Sequence, residues 1–273
     1  PAPSRPTSAS DDWRELRYRH LVPTPEQWDD IVAGRPLSFP PRPSLVTDFC
    51  SYNTNLAPQQ LADVRYVTRP WLQPHWVGDL ALSMRLEVDQ PVGQVRLELV
   101  EAGVVHACEI DLADGRASLS RGGAPLGEPA ATRVNAPGVY RLTFANIDDR
   151  LTLWVDDELP FGDGVAYDPE RGDRPPAPTD EDLEPARVFV RGGTPAIGGL
   201  VLKRDVYYTL SPSDPDSDDL LHYRLRAPRE LYDLLADPSR YAELRWREPR
   251  DFPMAEGAYL MLGDNSPWSS DSR

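Results

Sequence analysis

A period-two alternation of apolar and polar residues runs through the middle of the chain. Only four prolines fall between Trp76 and Leu159, whereas nine fall between Pro1 and Pro43. Because proline lacks the N–H that a sheet ladder requires, a proline-poor stretch between proline-rich ones is where strands can pair. The alternation predicts half-buried β-strands. Its clearest runs are Leu80–Val88, Val95–Leu99, Tyr140–Phe144 and Leu151–Val155.

Turn signals separate these runs, and no helix is predicted between them. The segment from Asn146 to Arg150 lies between the last two runs and is typical of a hairpin turn. The strand pattern returns from Ala186 to Tyr208, broken by two glycine pairs, one of which begins at Gly198. Strands at this spacing indicate an antiparallel sandwich rather than a βαβ fold.

Short helices are expected outside the strands. Thr24 to Gln27 has the sequence of a capping box, with Pro25 at the first helical position and Gly34 as a stop, so we predict a helix over 25–33. A second short helix is predicted from Pro228 to Leu235. The expected domains are a proline-rich linker with a short helix (1–43), the sandwich (44–210), an acidic linker with a short helix (211–253) and a terminal segment (254–273).

Charge and composition exclude some classes of protein. The 273 residues carry a formal net charge of −15, with 29 Lys plus Arg against 44 Asp plus Glu, and this balance argues against a nucleic-acid partner. A hydrophobic fraction of 40% is enough for a packed core. No apolar run approaches the roughly 20 residues that cross a bilayer. The chain contains a single lysine, Lys203.

The most specific motif lies at the end of the chain, from Gly263 to Arg273. It resembles the C-terminal conserved box of type I bacterial signal peptidases, G-D-N-x-x-x-S-x-D-S-R. The lead-in from Glu256 to Leu262 is similar to that family's approach to the box. The matching positions are Gly263, Asp264, Asn265, Ser269, Asp271, Ser272 and Arg273.

The resemblance implies a serine-type endopeptidase that removes signal peptides from secreted preproteins with a serine nucleophile and a lysine base. By the same resemblance, the Ser269 hydroxyl holds the lysine base on target. Asp271 and Arg273 would form an ion pair that braces the loop, and Asp264 would anchor it to an arginine beside the base. Gly263 would permit close backbone approach, with Asn265 and Ser272 as further parts of the loop. No cofactor or metal is expected.

Neither reacting residue of that family is found in the chain. Ser83-Met84 is the only Ser-Met pair, but the proline and threonine of the family's nucleophile box do not follow it. Lys203-Arg204 is the only Lys-Arg pair, and the glycine and proline of the base box are missing after it. We therefore expect both reacting residues upstream of Pro1 and no activity from this chain alone. The resemblance implies an inner-membrane protein held by upstream segments, with this part on the extracytoplasmic (periplasmic) side.

The rest of the chain resembles a large insertion found in some signal peptidases. Its run from Asp148 to Asp156 is also similar to concanavalin-type and laminin-G-like sandwiches. The expected fold is therefore mainly β: an antiparallel β-sandwich, a lectin-like jelly roll, inserted in a signal-peptidase β-fold with a few short helices.

A different class of function remains open. The alternative is a non-enzymatic, lectin-like β-sandwich that binds a glycan or a protein partner, with the terminal box coincidental. Under a third reading, one protein has both functions. Trp71, Trp76 and Trp154 could line a sugar site, although a tryptophan in a sandwich more often belongs to the core.

Other constellations carry little chemistry. The acidic run from Asp214 begins like a calcium loop but lacks its glycine and its final glutamate, and the four histidines are scattered, so no metal site is predicted. Glu109 and Asp111 alternate with apolar neighbours and are expected to face solvent. Cys50 and Cys108 are the only thiols, and the sequence leaves open whether they are bonded or free.

Overall fold

The computed structural model describes residues 11–48, 75–169, 176–206 and 228–242, together with 255 and 257. The chain divides into two compact units. The described residues of the first unit are 11–20, 78–169 and 178–205. Those of the second are 21–48, 75–77, 176–177, 206, 228–242, 255 and 257.

Most of the described residues in regular structure are in β-strands, and three short α-helices and one 3₁₀ turn accompany them. The strands are β1 (Arg14–Tyr18), β2 (Thr47–Asp48), β3 (His75–Trp76), β4 (Leu80–Val88), β5 (Gln94–Glu101), β6 (Val104–Asp111), β7 (Arg116–Arg121), β8 (Ala124–Ala131), β9 (Gly138–Ile147), β10 (Arg150–Val155), β11 (Val165–Ala166), β12 (Ala186–Arg191) and β13 (Ala196–Arg204). The helices are α1 (Pro25–Val32), α2 (Pro228–Leu235) and α3 (Pro238–Ala242), and the 3₁₀ turn is Asp180–Leu183.

The first unit is a sandwich of two antiparallel sheets. One sheet has six strands in the order β1-β12-β5-β6-β7-β8, and the other has five in the order β11-β10-β9-β4-β13. In the central strands, alternate residues face the space between the sheets, where Leu86, Leu97 and Phe144 are fully buried. Because the burial follows the period-two pattern of the sequence, the prediction of a mainly β, antiparallel sandwich with a few short helices is confirmed.

The turns between strands follow the sequence signals. Asp148 and Asp149 join β9 to β10 with φ angles of 51° and 55°, a left-handed conformation that aspartate tolerates better than most residues. The hairpin predicted there is confirmed. In β13 the register shifts between Gly198 and Val201, at the second predicted glycine break.

The edge strands of the six-stranded sheet differ in how they are formed. β8 contains Pro125 and Pro129, which an edge strand tolerates because, among the strands that the structure describes, one side of its ladder has no partner. β1 has no alternating pattern and owes its extended form to pairing with β12. Arg17 and Arg19 both reach the Glu184 carboxylate, at 2.9 and 2.6 Å, and tie that strand in place.

The second unit contains the helices and the small sheet of β2 and β3. α1 begins at a capping box in which the Thr24 hydroxyl accepts from the Gln27 amide and the Gln27 side chain accepts from the Thr24 amide, so the predicted helix is confirmed. α2 spans the predicted residues. The fully buried Tyr241 accepts a 2.7 Å hydrogen bond at its hydroxyl from the Trp76 amide. Within the ranges that the structure describes, no helix is both long and apolar enough to span a membrane.

Candidate functional site

The seven residues of the predicted terminal box lie outside the described residues, so no contact of theirs bears on the roles that the resemblance assigns to them. They are Gly263, Asp264, Asn265, Ser269, Asp271, Ser272 and Arg273. Two other residues weighed for catalysis are described. Ser83 lies on the outer face of the five-stranded sheet, where its hydroxyl is 2.9 Å from that of Thr143. Lys203 is exposed on the edge strand β13. The Ser83 hydroxyl therefore has a hydroxyl and not a base beside it, and the Lys203 ammonium is not desolvated as a lysine base would be.

Two aromatic rings and two arginines form a continuous row on the outer face of the six-stranded sheet. The Arg191 guanidinium lies over the Trp13 ring, 4.5 Å from its centroid. The Trp13 and Phe189 rings meet edge to face, with centroids 6.2 Å apart at 80°. The Arg96 guanidinium lies 5.8 Å from the Phe189 centroid. These four residues, the aromatic–arginine row, are all half-buried, so each keeps part of its surface exposed to solvent.

A depression of about 390 Å³ adjoins the Arg191 end of this row. Three polar side chains join Arg191 in lining it, and glycine and alanine positions complete its border. The lining residues are Asp11, Gly93, Gln94, Asp111, Ala113, Arg191 and Gly192. Convergent polar groups on a concave surface are one element of a ligand site, and here the apolar element is limited to the neighbouring aromatic rings.

Hydrogen bonds hold the polar side chains of the depression in one arrangement. Arg191 Nε donates to Gln94 Oε1 at 2.5 Å, and Gln94 Nε2 donates to Asp111 Oδ2 at 3.4 Å. The other Asp111 oxygen accepts from the Ala113 amide at 2.8 Å. No carboxylate among the described residues forms an ion pair with Arg191, whose remaining N–H groups therefore have capacity for a ligand.

Glycines allow two turns to meet backbone to backbone beside the depression. A Cβ on Gly93 would lie 2.2 Å from the Arg191 carbonyl oxygen, and one on Gly193 would lie 2.1 Å from the Val92 carbonyl oxygen. Any larger residue at either position would push the turns apart. Arg14 donates to the Gly193 carbonyl at 2.6 Å and so links the start of β1 to the same turn.

The charged side chains next to Phe189 on the outer face of the six-stranded sheet form ion pairs with one another. Glu98 is only 4% exposed and lies 2.5 Å from Arg96 and 3.8 Å from Arg187. Burial raises the pKa of Glu98, and the two arginines oppose that rise. Arg187 also contacts Glu181. These ion pairs balance the charges next to Phe189, so the Arg191 end of the row is the end that keeps hydrogen-bonding capacity for a ligand.

A second polar cluster, the end cluster, lies at the opposite end of the sandwich. The His106 and Tyr167 rings stack with centroids 5.2 Å apart, and the Arg121 guanidinium lies 4.8 Å from the Tyr167 centroid. The Tyr167 hydroxyl donates to Asn146 Oδ1 at 2.6 Å, and Asn146 Nδ2 donates to Glu101 at 2.7 Å.

Burial dominates the chemistry of the end cluster. His106 is 1% exposed, and burial together with Arg121 lowers its pKa to about 4, so the ring is neutral near pH 7. Asn146 is fully buried. The end cluster therefore closes one end of the core, and its buried members offer no surface to a ligand.

Sequence reasoning did not single out any member of the aromatic–arginine row. Of the tryptophans considered for a sugar site, Trp71 lies outside the described residues, Trp76 belongs to the second unit, and Trp154 lies half-buried on the outer face of the five-stranded sheet. Trp13 lies in the segment predicted as a linker. The sequence offers little indication of a strand beside Trp13, because apolar and polar residues do not alternate in β1.

Other predicted features have definite places. Asp111 faces outward as predicted, and it lines the depression. Cys108 is a free and fully buried thiol, and Cys50 lies outside the described residues. The described part of the chain holds no group of three or more side chains arranged to bind a metal ion.

Known proteins resemble this chain in structure, but none of those compared matches it in sequence. No protein-family model matches the chain, and no curated protein matches it. Similar solved structures include sheep galectin-11 in complex with glycerol (12% identity, TM-score 0.32), covering 46% of this chain and 90% of that one. The Caenorhabditis elegans galectin LEC-6 (11% identity, TM-score 0.30) covers 46% and 84%, respectively. A carbohydrate-binding module, CBM66, from Bacillus subtilis (14% identity, TM-score 0.33) covers 46% and 75%.

These findings correct the main functional prediction. The expected type I signal peptidase is wrong, because no family model or curated protein supports it and the similar solved structures are galectins and a carbohydrate-binding module. The expected serine endopeptidase activity is wrong for the same reason, and so is the placement of the sandwich inside a signal-peptidase fold. Preprotein substrates are without support. The roles assigned to the residues of the terminal motif stay predictions, because those residues lie outside the described part of the chain.

Proposed function

We propose that the first unit is a non-catalytic carbohydrate-binding module and that a glycan lies on the outer face of its six-stranded sheet. One observation carries the proposal: the Trp13–Phe189 edge-to-face pair adjoins a depression with hydrogen-bonding side chains. The Bacillus subtilis module is named for carbohydrate binding. The same role is proposed here on the geometry of this chain.

The chemistry of sugars matches the two halves of the site. A pyranose ring has a face of C–H groups, which packs on an aromatic ring, and a rim of hydroxyls, each of which can donate and accept. Trp13 supplies the aromatic surface, through the part of its indole ring that Arg191 does not cover. Arg191 donates, Asp111 accepts and Gln94 does both, so the depression can satisfy hydroxyls of either polarity.

The site is also held in place before any ligand arrives. Gln94 bridges Arg191 and Asp111, and the Trp13 ring packs against both Arg191 and Phe189. Because these side chains are already ordered, binding loses less rotamer entropy than it would on a flexible loop.

A polysaccharide panel tests the proposal. Native affinity electrophoresis through gels that contain α-glucan, β-glucan, β-galactan, β-mannan or β-xylan should show retardation of the chain by at least one polymer. Trp13→Ala should reduce that affinity at least about tenfold, since it removes the stacking surface. Trp154→Ala is the matched control, because it removes an indole from the opposite outer face.

Both variants should keep the β-type circular dichroism spectrum of the parent. Migration unchanged by every polymer would overturn the proposed function. Retardation that survives Trp13→Ala but not Trp154→Ala would place the glycan on the five-stranded sheet and overturn the proposed site.

A further inference from the structure

We propose that the depression beside Trp13 selects an uncharged sugar unit and rejects acidic glycans such as uronates. The inference rests on the proposed function and specifies the class of ligand that the site accepts. It is drawn from the balance of charges and hydrogen-bonding groups in the depression.

Carboxylates outnumber cations among the lining side chains. Asp11 and Asp111 are acidic, Arg191 is the one basic lining residue, and Gln94 is neutral. The formal net charge of the whole chain is −15. A ligand carboxylate would therefore meet two negative groups for one positive group inside the depression, and it would approach against the field of an acidic protein.

The guanidinium of Arg191 is the strongest argument for an acidic ligand, since arginine binds carboxylates with two parallel hydrogen bonds. Part of that capacity is already used. Its Nε donates to Gln94, and one face of its plane covers the Trp13 ring. The remaining N–H groups open onto a depression that Asp11 and Asp111 also line, so an incoming carboxylate gains one attraction and two repulsions.

The inventory of donors and acceptors favours hydroxyls. A carboxylate can only accept, so it offers no donor to Asp11 or to the lone pairs of Asp111 that Gln94 and the Ala113 amide leave open. A hydroxyl can donate to Asp111 and accept from Arg191 at once. An uncharged, hydroxyl-rich ring is thus the ligand that satisfies all of the polar side chains in the depression.

Matched polymers test the inference whichever sugar the chain binds. Each neutral hexose polymer that binds is compared with the same polymer oxidised at C6 to the carboxylate, which changes the charge and keeps the linkage. If xylan, which has no C6, is the polymer that binds, it is compared with glucuronoxylan, which carries uronate side groups on the same backbone. We expect affinity for the oxidised polymer to be at least about tenfold weaker at low ionic strength, and the difference to shrink at about 150 mM salt.

Charge variants identify the source of the discrimination. The double variant Asp11→Asn/Asp111→Asn keeps side-chain shape and an acceptor oxygen. It should reduce the difference in affinity between the neutral and the oxidised polymer to less than about threefold. The control is Glu128→Gln/Asp157→Asn, which makes the same change in net charge at two exposed positions of the first unit outside the depression. It should leave the difference nearly unchanged.

The outcomes separate the two proposals. Equal or tighter binding of the oxidised polymer, dependent on Trp13, would overturn the inference and leave the proposed function standing. An equal effect of the control pair would also overturn it, because net charge and not the depression would then discriminate. Binding of no polymer, neutral or oxidised, would overturn the proposed function itself.

Discussion

The guanidinium of Arg191 lies over the indole ring of Trp13, 4.5 Å from its centroid. This contact joins the last residue of β12 to the residue that precedes β1, so the site exists only when the edge strand is paired. Arg191 also donates to Gln94 and lines the depression. One side chain thus links the aromatic surface to the polar one.

Arg191→Lys is expected to weaken glycan binding about fivefold or more, because lysine keeps the charge but loses the planar fork that stacks on Trp13 while bonding Gln94. Isothermal titration with an oligosaccharide of the polymer that binds gives the affinity. Arg116→Lys, at an exposed position of β7, is the control and should be neutral. Equal affinities for Arg191→Lys and the parent would show that charge alone matters at this position.

Asp182 anchors the hairpin between β5 and β6. Its carboxylate accepts from the Ala102 and Gly103 amides at 2.9 and 3.0 Å, and from the amide and hydroxyl of Thr179 at 2.8 and 2.9 Å. Asp182→Ala should lower the free energy of unfolding by about 1–3 kcal/mol, because it removes the acceptor of three part-buried N–H groups and of the Thr179 hydroxyl.

Chemical denaturation measures this loss. Asp180→Ala changes an exposed residue of the same 3₁₀ turn and should stay within about 0.5 kcal/mol of the parent. If the two variants unfolded at the same denaturant concentration, the anchoring role of Asp182 would be disproved.

Asp79 gives the first unit a pH-dependent stability. Burial, together with the nearby carboxylates of Glu101, Asp148 and Asp205, raises the pKa of Asp79 to about 7. The pKa of this carboxyl group is higher in the folded than in the unfolded chain. Its contribution to the free energy of unfolding is therefore fully present below the unfolded pKa and is lost as the pH rises through about 7. Asp79→Asn should remove this contribution to the pH dependence of stability.

Melting temperatures of the parent and Asp79→Asn, compared from about pH 5 to pH 8, check the sign. The variant should become more stable relative to the parent as the pH rises. His106 acts in the opposite direction, since its pKa is lowered to about 4 and its contribution is lost in acid. It is present in both proteins, so the difference between them isolates Asp79. A difference that does not change with pH would contradict the raised pKa.

Local patterns were sufficient to predict the core strands and the first helix. Leu80, Leu82 and Met84 alternate with polar residues and are buried in β4, because burial on one face of a strand imposes a period of two. Thr24 and Gln27 form the predicted capping box, which needs only residues three apart. These signals lie within the segments that they predict.

The site could not be predicted in the same way, because it is assembled from residues far apart in sequence. Trp13 lies before a strand whose own sequence does not alternate, and only pairing with β12 brings it to Phe189 and Arg191. The terminal motif led to a wrong function because short polar motifs can match without their structural context. Its residues lie outside the described part of the chain.

The most direct test of the central claim is the NMR response of the tryptophan side chains to a bound oligosaccharide. The chain has seven tryptophans, and the indole N–H signals of Trp13 and Trp154 can be assigned with Trp13→Phe and Trp154→Phe variants. Titration with the sugar should shift the Trp13 signal in a saturable way and leave that of Trp154 in place. A saturable shift of the Trp154 signal with an unmoved Trp13 signal would contradict binding on the six-stranded sheet.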